Sequence, residues 1–186
     1  GTLESMKIRW FKEDLSPYEE IKIPASNSGK VLKIGVSATR EPFSFVDKDG
    51  RVTGHDGELA RIIGAKLQRP VEFTNMKFMA LIPALQSGKV DLIVSGMTAT
   101  EERRKLIDFS DPYFANSQVM LVKKSAVEEA ARNKPVAEMN RSQKLESIAD
   151  LKDKRIGLLL GSVHDSYAAE KFPKATLLQY KTPSDI

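Results

Sequence analysis

Two periods alternate along this chain. Residues 31–36 form an almost unbroken apolar run, the pattern of a strand buried on both faces. Residues 43–46 and 51–53 are short extended runs on either side of Asp47-Lys-Asp-Gly50, a turn signal. Arg40-Glu-Pro-Phe43 reads as a loop, because Pro42 has no amide to give to a ladder. The period then changes. Leu59, Ile62, Ile63 and Leu67 recur at helical spacing and predict one apolar helix face, stopped before Pro70. Residues 71–73 predict a short strand. Phe78, Leu81, Ile82 and Leu85 mark a second helix face, with Pro83 in its first turn and Gly88 at its C-terminal cap. Residues 90–94 predict the next strand.

The same alternation resumes further on. Residues 117–123 predict a strand, and 125–150 are charged and helical in tone, broken at Pro135. A strand over 155–160, a helix over 162–172 and a strand over 175–180 follow, and 182–186 open another helix with Ser184 as its N-cap. Strands alternating with helices over short connections predict a doubly wound α/β layer with a parallel sheet. A helix that opens without a body predicts a fragment of a larger protein. At the other end, Gly1 to Ser5 before Met6 reads as a cloning remnant outside the fold. Ile8, Trp10 and Phe11 form an apolar patch, Ser16-Pro17 breaks it, and the small polar run 24–29 reads as a linker.

A length of 186 residues has room for one large domain or two small lobes. The net charge of +4 is spread among interleaved acids and bases, which argues against a basic nucleic-acid face. No apolar run approaches the ~20 residues of a membrane span, and no signal peptide is visible. The absence of Cys excludes disulfides, thiolate metal sites and Cys nucleophiles. His55 and His164 are far apart, and Asp47 and Asp49 lack the rest of a calcium loop, so neither a metal nor a cofactor is expected.

The candidate chemistry lies after the strand at 90–94. Ser95-Gly-Met-Thr-Ala-Thr-Glu-Glu-Arg-Arg104 brings a small-residue loop, two Thr hydroxyls and an Arg to one place. A guanidinium is a rigid fork of donors that matches a carboxylate, and hydroxyls and loop amides can complete the grip. The run reads as a clamp for a small anion without an obvious nucleophile. Each residue also has a plainer role. Arg103 can be a solvated residue on a helix over 101–106, and Thr100 is well placed as that helix's N-cap.

Pro42-Phe-Ser-Phe45, Gly50-Arg-Val-Thr-Gly54, Leu81-Ile-Pro-Ala-Leu-Gln-Ser-Gly-Lys-Val-Asp91, the run from Ser95 to Arg103 and Asp108-Phe-Ser-Asp-Pro-Tyr113 resemble, in that order, the family-three solute-binding proteins of bacterial ABC importers. The resemblance implies a two-lobe periplasmic-binding-protein type II fold with doubly wound mixed sheets and the ligand between the lobes. Residues 31–116 would be lobe one, and 117–186 the crossover and an incomplete lobe two. Residues 1–30 would be the remnant, the tail of a preceding domain and a linker, because Ile8 to Pro17 resembles the family's own C-terminal end. That favours a tandem protein over a permuted one.

The resemblance also implies roles. Arg103 would pair with an amino acid's α-carboxylate, and Gly96, Met97 and Thr98 would form the gripping loop. Phe78 would line the cleft or belong to the core. Arg40 stands where the family often has an aromatic, and there it favours a polar or acidic side chain or faces solvent. Ser37 stands where many relatives carry Asp, a loss that argues against a cationic ligand. Ser162 would approach the carboxylate from lobe two or simply cap its helix. No residue matches the family's acid for the ammonium. The implied activity is capture of a small polar amino acid, lobe closure about a hinge near 113–123, and delivery to an ABC transporter permease outside the cytoplasmic membrane. Alternatives are a ligand-sensing domain of a receptor or kinase, and a cyclohexadienyl dehydratase-like enzyme, for which Glu41 is the one acid near the site. Exposed edges of an incomplete lobe would invite a dimer or a swapped assembly.

Overall fold

The computed structural model describes residues 2–11, 29–115, 121 and 151–186. The predicted strand at 117–123 (apart from Leu121), the segment 125–150 and most of the expected hinge lie outside them.

The first element is a helix, α1 (Thr2–Phe11). The residues set aside as a remnant form its first turn, with Glu4 near its N-terminus and Arg9 in its last turn, the charge order a helix dipole favours. Met6 is buried, and α1 packs on α2 (His55–Lys66).

Lobe one is built on β1 (Leu32–Val36), which pairs in parallel with β4 (Val71–Asn75) and β5 (Leu92–Ile93) in the order β4-β1-β5. As the central strand, β1 is buried on both faces. Leu32 and Ile34 pack with Ala60 and Val94, while Gly35 lies against Leu81 and Val90. The helix α3 (Leu81–Gln86) follows a 3-10 turn, Phe78–Ala80, and puts Pro83 in its first turn as expected. A small antiparallel pair, β2 (Phe45–Val46) and β3 (Val52–Thr53), brackets the Asp47 turn. Asp47 accepts from the amides of Asp49 and Arg51, which holds its carboxyl below the usual range.

One face differs from the hydrophobic reading. Where α2 meets the sheet its fully buried residues are Ala60 and Gly64, Leu59 and Ile63 pack beside them, and Leu67 is exposed. Gly64 has to be Gly, because a Cβ there would collide with Val71 on β4. The helix sits so close to the sheet that small residues, not large ones, mark its contact.

The second unit pairs β6 (Arg155–Leu159) with β7 (Thr176–Tyr180) in parallel, covered by α5 (Val163–Lys171). Its core is Leu158, Ala168 and Phe172. The last turn is a 3-10 turn, Pro183–Asp185, with Thr182 rather than Ser184 before it. The Thr182 hydroxyl donates to Asp185 at 2.6 Å, which fixes the turn two residues earlier than the Ser184 cap predicts.

Candidate ligand-binding cleft

The loop 95–100 leaves the C-terminal end of β5, where open parallel sheets place their ligands. Thr100 then starts α4 (Glu101–Arg104). Its hydroxyl accepts from the Arg103 amide at 3.3 Å, so the capping role is the one this structure gives it. One short turn of helix thus throws the Arg103 side chain back across the loop. Arg103 Nη1 donates to the Thr98 carbonyl at 2.8 Å, and Nη2 donates to the Gly161 carbonyl of the second unit at 2.9 Å. The guanidinium carbon stands 5.5 Å from the centroid of the Phe78 ring. Burial lowers its pKa from the ordinary arginine value, with the Glu102 charge acting the other way. Among the described residues no carboxylate lies within ion-pair distance of it. Arg103 is therefore a half-buried cation held by carbonyls and an aromatic face.

The structure brings Arg103, Thr98, Phe78 and the Gly161–Ser162 corner together. Thr98 is exposed, and among the described residues nothing is hydrogen-bonded to its hydroxyl. Phe78 is half-buried and lies outside the apolar clusters of the sheet. Ser162 caps α5, accepting from the Asp165 amide at 3.2 Å, while Asp165 accepts from the Gly161 amide at 2.9 Å. This reciprocal pair leaves the helix start already supplied with a carboxylate.

A second group lies behind the same loop. Gly96 adopts φ +57, and a Cβ on it would collide with the Arg40 guanidinium. Arg40 is half-buried rather than free in solvent, stacked at 4.7 Å over Phe43. The Gly96 amide, expected in the grip, donates instead to the Tyr113 phenol at 2.8 Å. Tyr113 in turn donates to Asp56 at 3.2 Å and stacks on His55. His55 and Asp56 are fully buried, and Phe11 of α1, Phe43 and Phe114 close around the imidazole. Met97 is half-buried in the loop. Ser37 is buried beside it, its amide donating to Ser95 Oγ at 3.0 Å. Tyr113, Asp56 and His55 were absent from the predicted site. The signal available for them was the aromatic end of Asp108-Phe-Ser-Asp-Pro-Tyr113, read as packing against the crossover, and Tyr113 and Phe114 do pack against α1 and α2.

Between the units is a cavity of about 190 Å³, lined by Ser37, Thr39, Asn75 and Lys77 on one side and Lys181 and Thr182 on the other. Glu41 is exposed and does not line it.

Residues 32–154 match the bacterial extracellular solute-binding proteins, family 3. The chain belongs to this family. An ABC transporter arginine-binding protein 1 of Escherichia coli is 32% identical over 83% of the chain. The chain spans only 56% of that relative's length. An ancestral arginine-binding protein, solved with arginine, superposes with a TM-score of 0.71 at 38% identity, covering 83% of this chain and 62% of its own. An ancestral amino acid-binding protein, described as a precursor of cyclohexadienyl dehydratase, gives the same TM-score, 0.71, at 33% identity over all of this chain and 67% of its own. The solute-binding fold is thus the periplasmic type II architecture, present here as lobe one and part of lobe two. Among the described residues no helix is long and apolar enough to cross a membrane.

Proposed function

We propose that this chain is part of a binding protein that captures an amino acid between its lobes and hands it to an ABC importer, on the outer side of the cytoplasmic membrane. One observation carries the reading. Arg103 is a half-buried guanidinium at the junction of the lobes, bonded to two carbonyls and, among the described residues, to no carboxylate. A ligand's α-carboxylate supplies the missing charge and takes the place of the Gly161 carbonyl on Nη2. Thr98 adds its hydroxyl, the Met97–Thr98 backbone borders the acid, and Phe78 packs on the aliphatic part. Ser162 stands at the lobe-two rim of the same site.

The role is capture without turnover. Proton transfer would need an acid held in the cleft, and Glu41, the candidate acid, is exposed. Names of relatives support the transport reading, since the E. coli relative is an arginine-binding component of an ABC transporter. The named ligand is not carried over here. Ser37 offers no charge to a guanidinium, so arginine lacks a counter-ion at that position.

The test is calorimetry and thermal shift with the common amino acids on the 186-residue chain. Binding should raise the midpoint by mass action. Arg103→Ala should weaken the preferred amino acid roughly ten- to hundredfold, about 1.5–3 kcal/mol, as expected for a charge-assisted contact. Full affinity in that variant removes the clamp from the proposal.

A further inference from the structure

We infer that the cleft selects an amino acid whose side chain is itself an acid. The inference rests on the reading above, with the α-carboxylate on Arg103, and asks what the rest of the cleft would meet.

The answer lies in the sign of the charges. The cavity between the units has two charged residues in its lining, Lys77 from lobe one and Lys181 from the second unit. They come from separate elements, one beyond β4 and one beyond β7, and converge on a single space. The other polar groups are Ser37, Thr39, Asn75 and Thr182, and no carboxylate is among them. Asn75 Oδ1 already accepts from the Ala38 amide at 3.0 Å, so its free amide hydrogens are donors.

A third cation stands next to the lining. Arg40 follows Thr39 and is fixed between the Phe43 ring and the backbone of Gly96. Among the described residues no acceptor is bonded to its guanidinium. The nearest buried acid, Asp56, lies below Gly96, accepts from the Tyr113 hydroxyl on Oδ1 and is fully buried; it is out of a ligand's reach but close enough to Arg40 to offset part of that charge. Lys77 and Lys181 line the cavity with no carboxylate in the lining, and Lys77 directly precedes Phe78, the ring beside Arg103, so a ligand held by Arg103 would extend toward them. Charges of one sign lining a cleft favour the opposite charge on the guest. An amino acid with a carboxylate side chain brings net negative charge. A neutral amide brings only hydrogen bonds, and a cationic side chain meets repulsion.

The experiment is calorimetry on the 186-residue chain with L-glutamate, L-glutamine and L-arginine, at low and at physiological salt. L-glutamate should bind at least tenfold more tightly than L-glutamine, with L-arginine weakest, and added salt should reduce the glutamate preference. Lys77 and Lys181 are exposed, so their replacement leaves the fold in place. The double variant Lys77→Gln, Lys181→Gln should narrow the glutamate-to-glutamine ratio about tenfold while its melting midpoint stays that of the parent. Glutamine or arginine binding as tightly as glutamate overturns the acid preference and leaves amino-acid capture standing. An unchanged ratio in the double variant also overturns it. Failure of every amino acid to bind overturns both.

Discussion

Tyr113 shows how one buried phenol organises a loop it was not expected to touch. It accepts from the Gly96 amide and donates to Asp56, so the bend that presents Thr98 and Arg103 hangs on a single hydroxyl. Tyr113→Phe would leave both partners unsatisfied, at a cost of about 1–3 kcal/mol in a urea melt at neutral pH. Burial first, then the Asp56 charge, pushes the phenol well above the ordinary tyrosine range, against the smaller opposing effects of the Gly96 amide and Arg40. The sign follows from linkage. With the folded pKa above the unfolded one, the unfolded chain loses the proton first as pH rises. Stability from this group is intact below pH about 10 and falls above it. The phenylalanine variant has no such proton, so its stability should decline less steeply than the parent's above about pH 10. Parallel curves would mean that Tyr113 is not shielded as described. The Thr100 cap was legible because a capping hydroxyl is local chemistry. The Tyr113 link was not, since it joins residues 17 and 57 apart in sequence through side chains with several plausible partners.

Among the elements, α1 departs most from its reading. Its sequence has a weak apolar stripe, so a pattern search sees little there. What docks it is specific. Glu58 on α2 is almost fully buried, pairs with Arg9 and accepts from the Trp10 indole at 2.7 Å, while Phe11 meets Phe43 and Phe114. A buried carboxylate is tolerated only with its partners in place. Removing one partner of such a pair costs about 3–5 kcal/mol, whereas neutralising the carboxylate in the same shape costs less. Arg9→Ala should therefore lower the urea midpoint more than Glu58→Gln does. Trp10→Phe should add about 1 kcal/mol of loss for the missing donor. Equal melts for Arg9→Ala and the parent would place α1 off the lobe. The strands among the described residues, by contrast, were readable to within a residue or two, because β1 is sandwiched and apolar at all but Lys33. The buried face of α2 was misread for the opposite reason: close approach demands Ala60 and Gly64, residues that an apolar periodicity passes over.

Across the whole molecule the two units are unequal. Lobe one has a three-stranded sheet with helices on both faces, and two apolar clusters share Phe73. Among the described residues the second unit has two parallel strands under one helix, around Leu158, Ala168 and Phe172. Two paired strands are marginal by themselves. Part of their order has to come from neighbours, and Arg103 supplies a contact by reaching the Gly161 carbonyl at the mouth of β6 and α5. Local opening tracks how little apolar packing and how few partners a segment has. Amide hydrogen exchange should thus run faster in β6 and β7 than in β1, with opening free energies lower by at least about 2 kcal/mol. Arg103→Ala cuts the tie without touching either core. It should speed exchange in β6 and β7 severalfold and leave β1 as it was. If both sheets respond equally, the chain opens as one cooperative body and the guanidinium is not a link between lobes. If neither responds, the Gly161 contact carries no free energy, and a ligand's acid would displace nothing on arriving at Arg103.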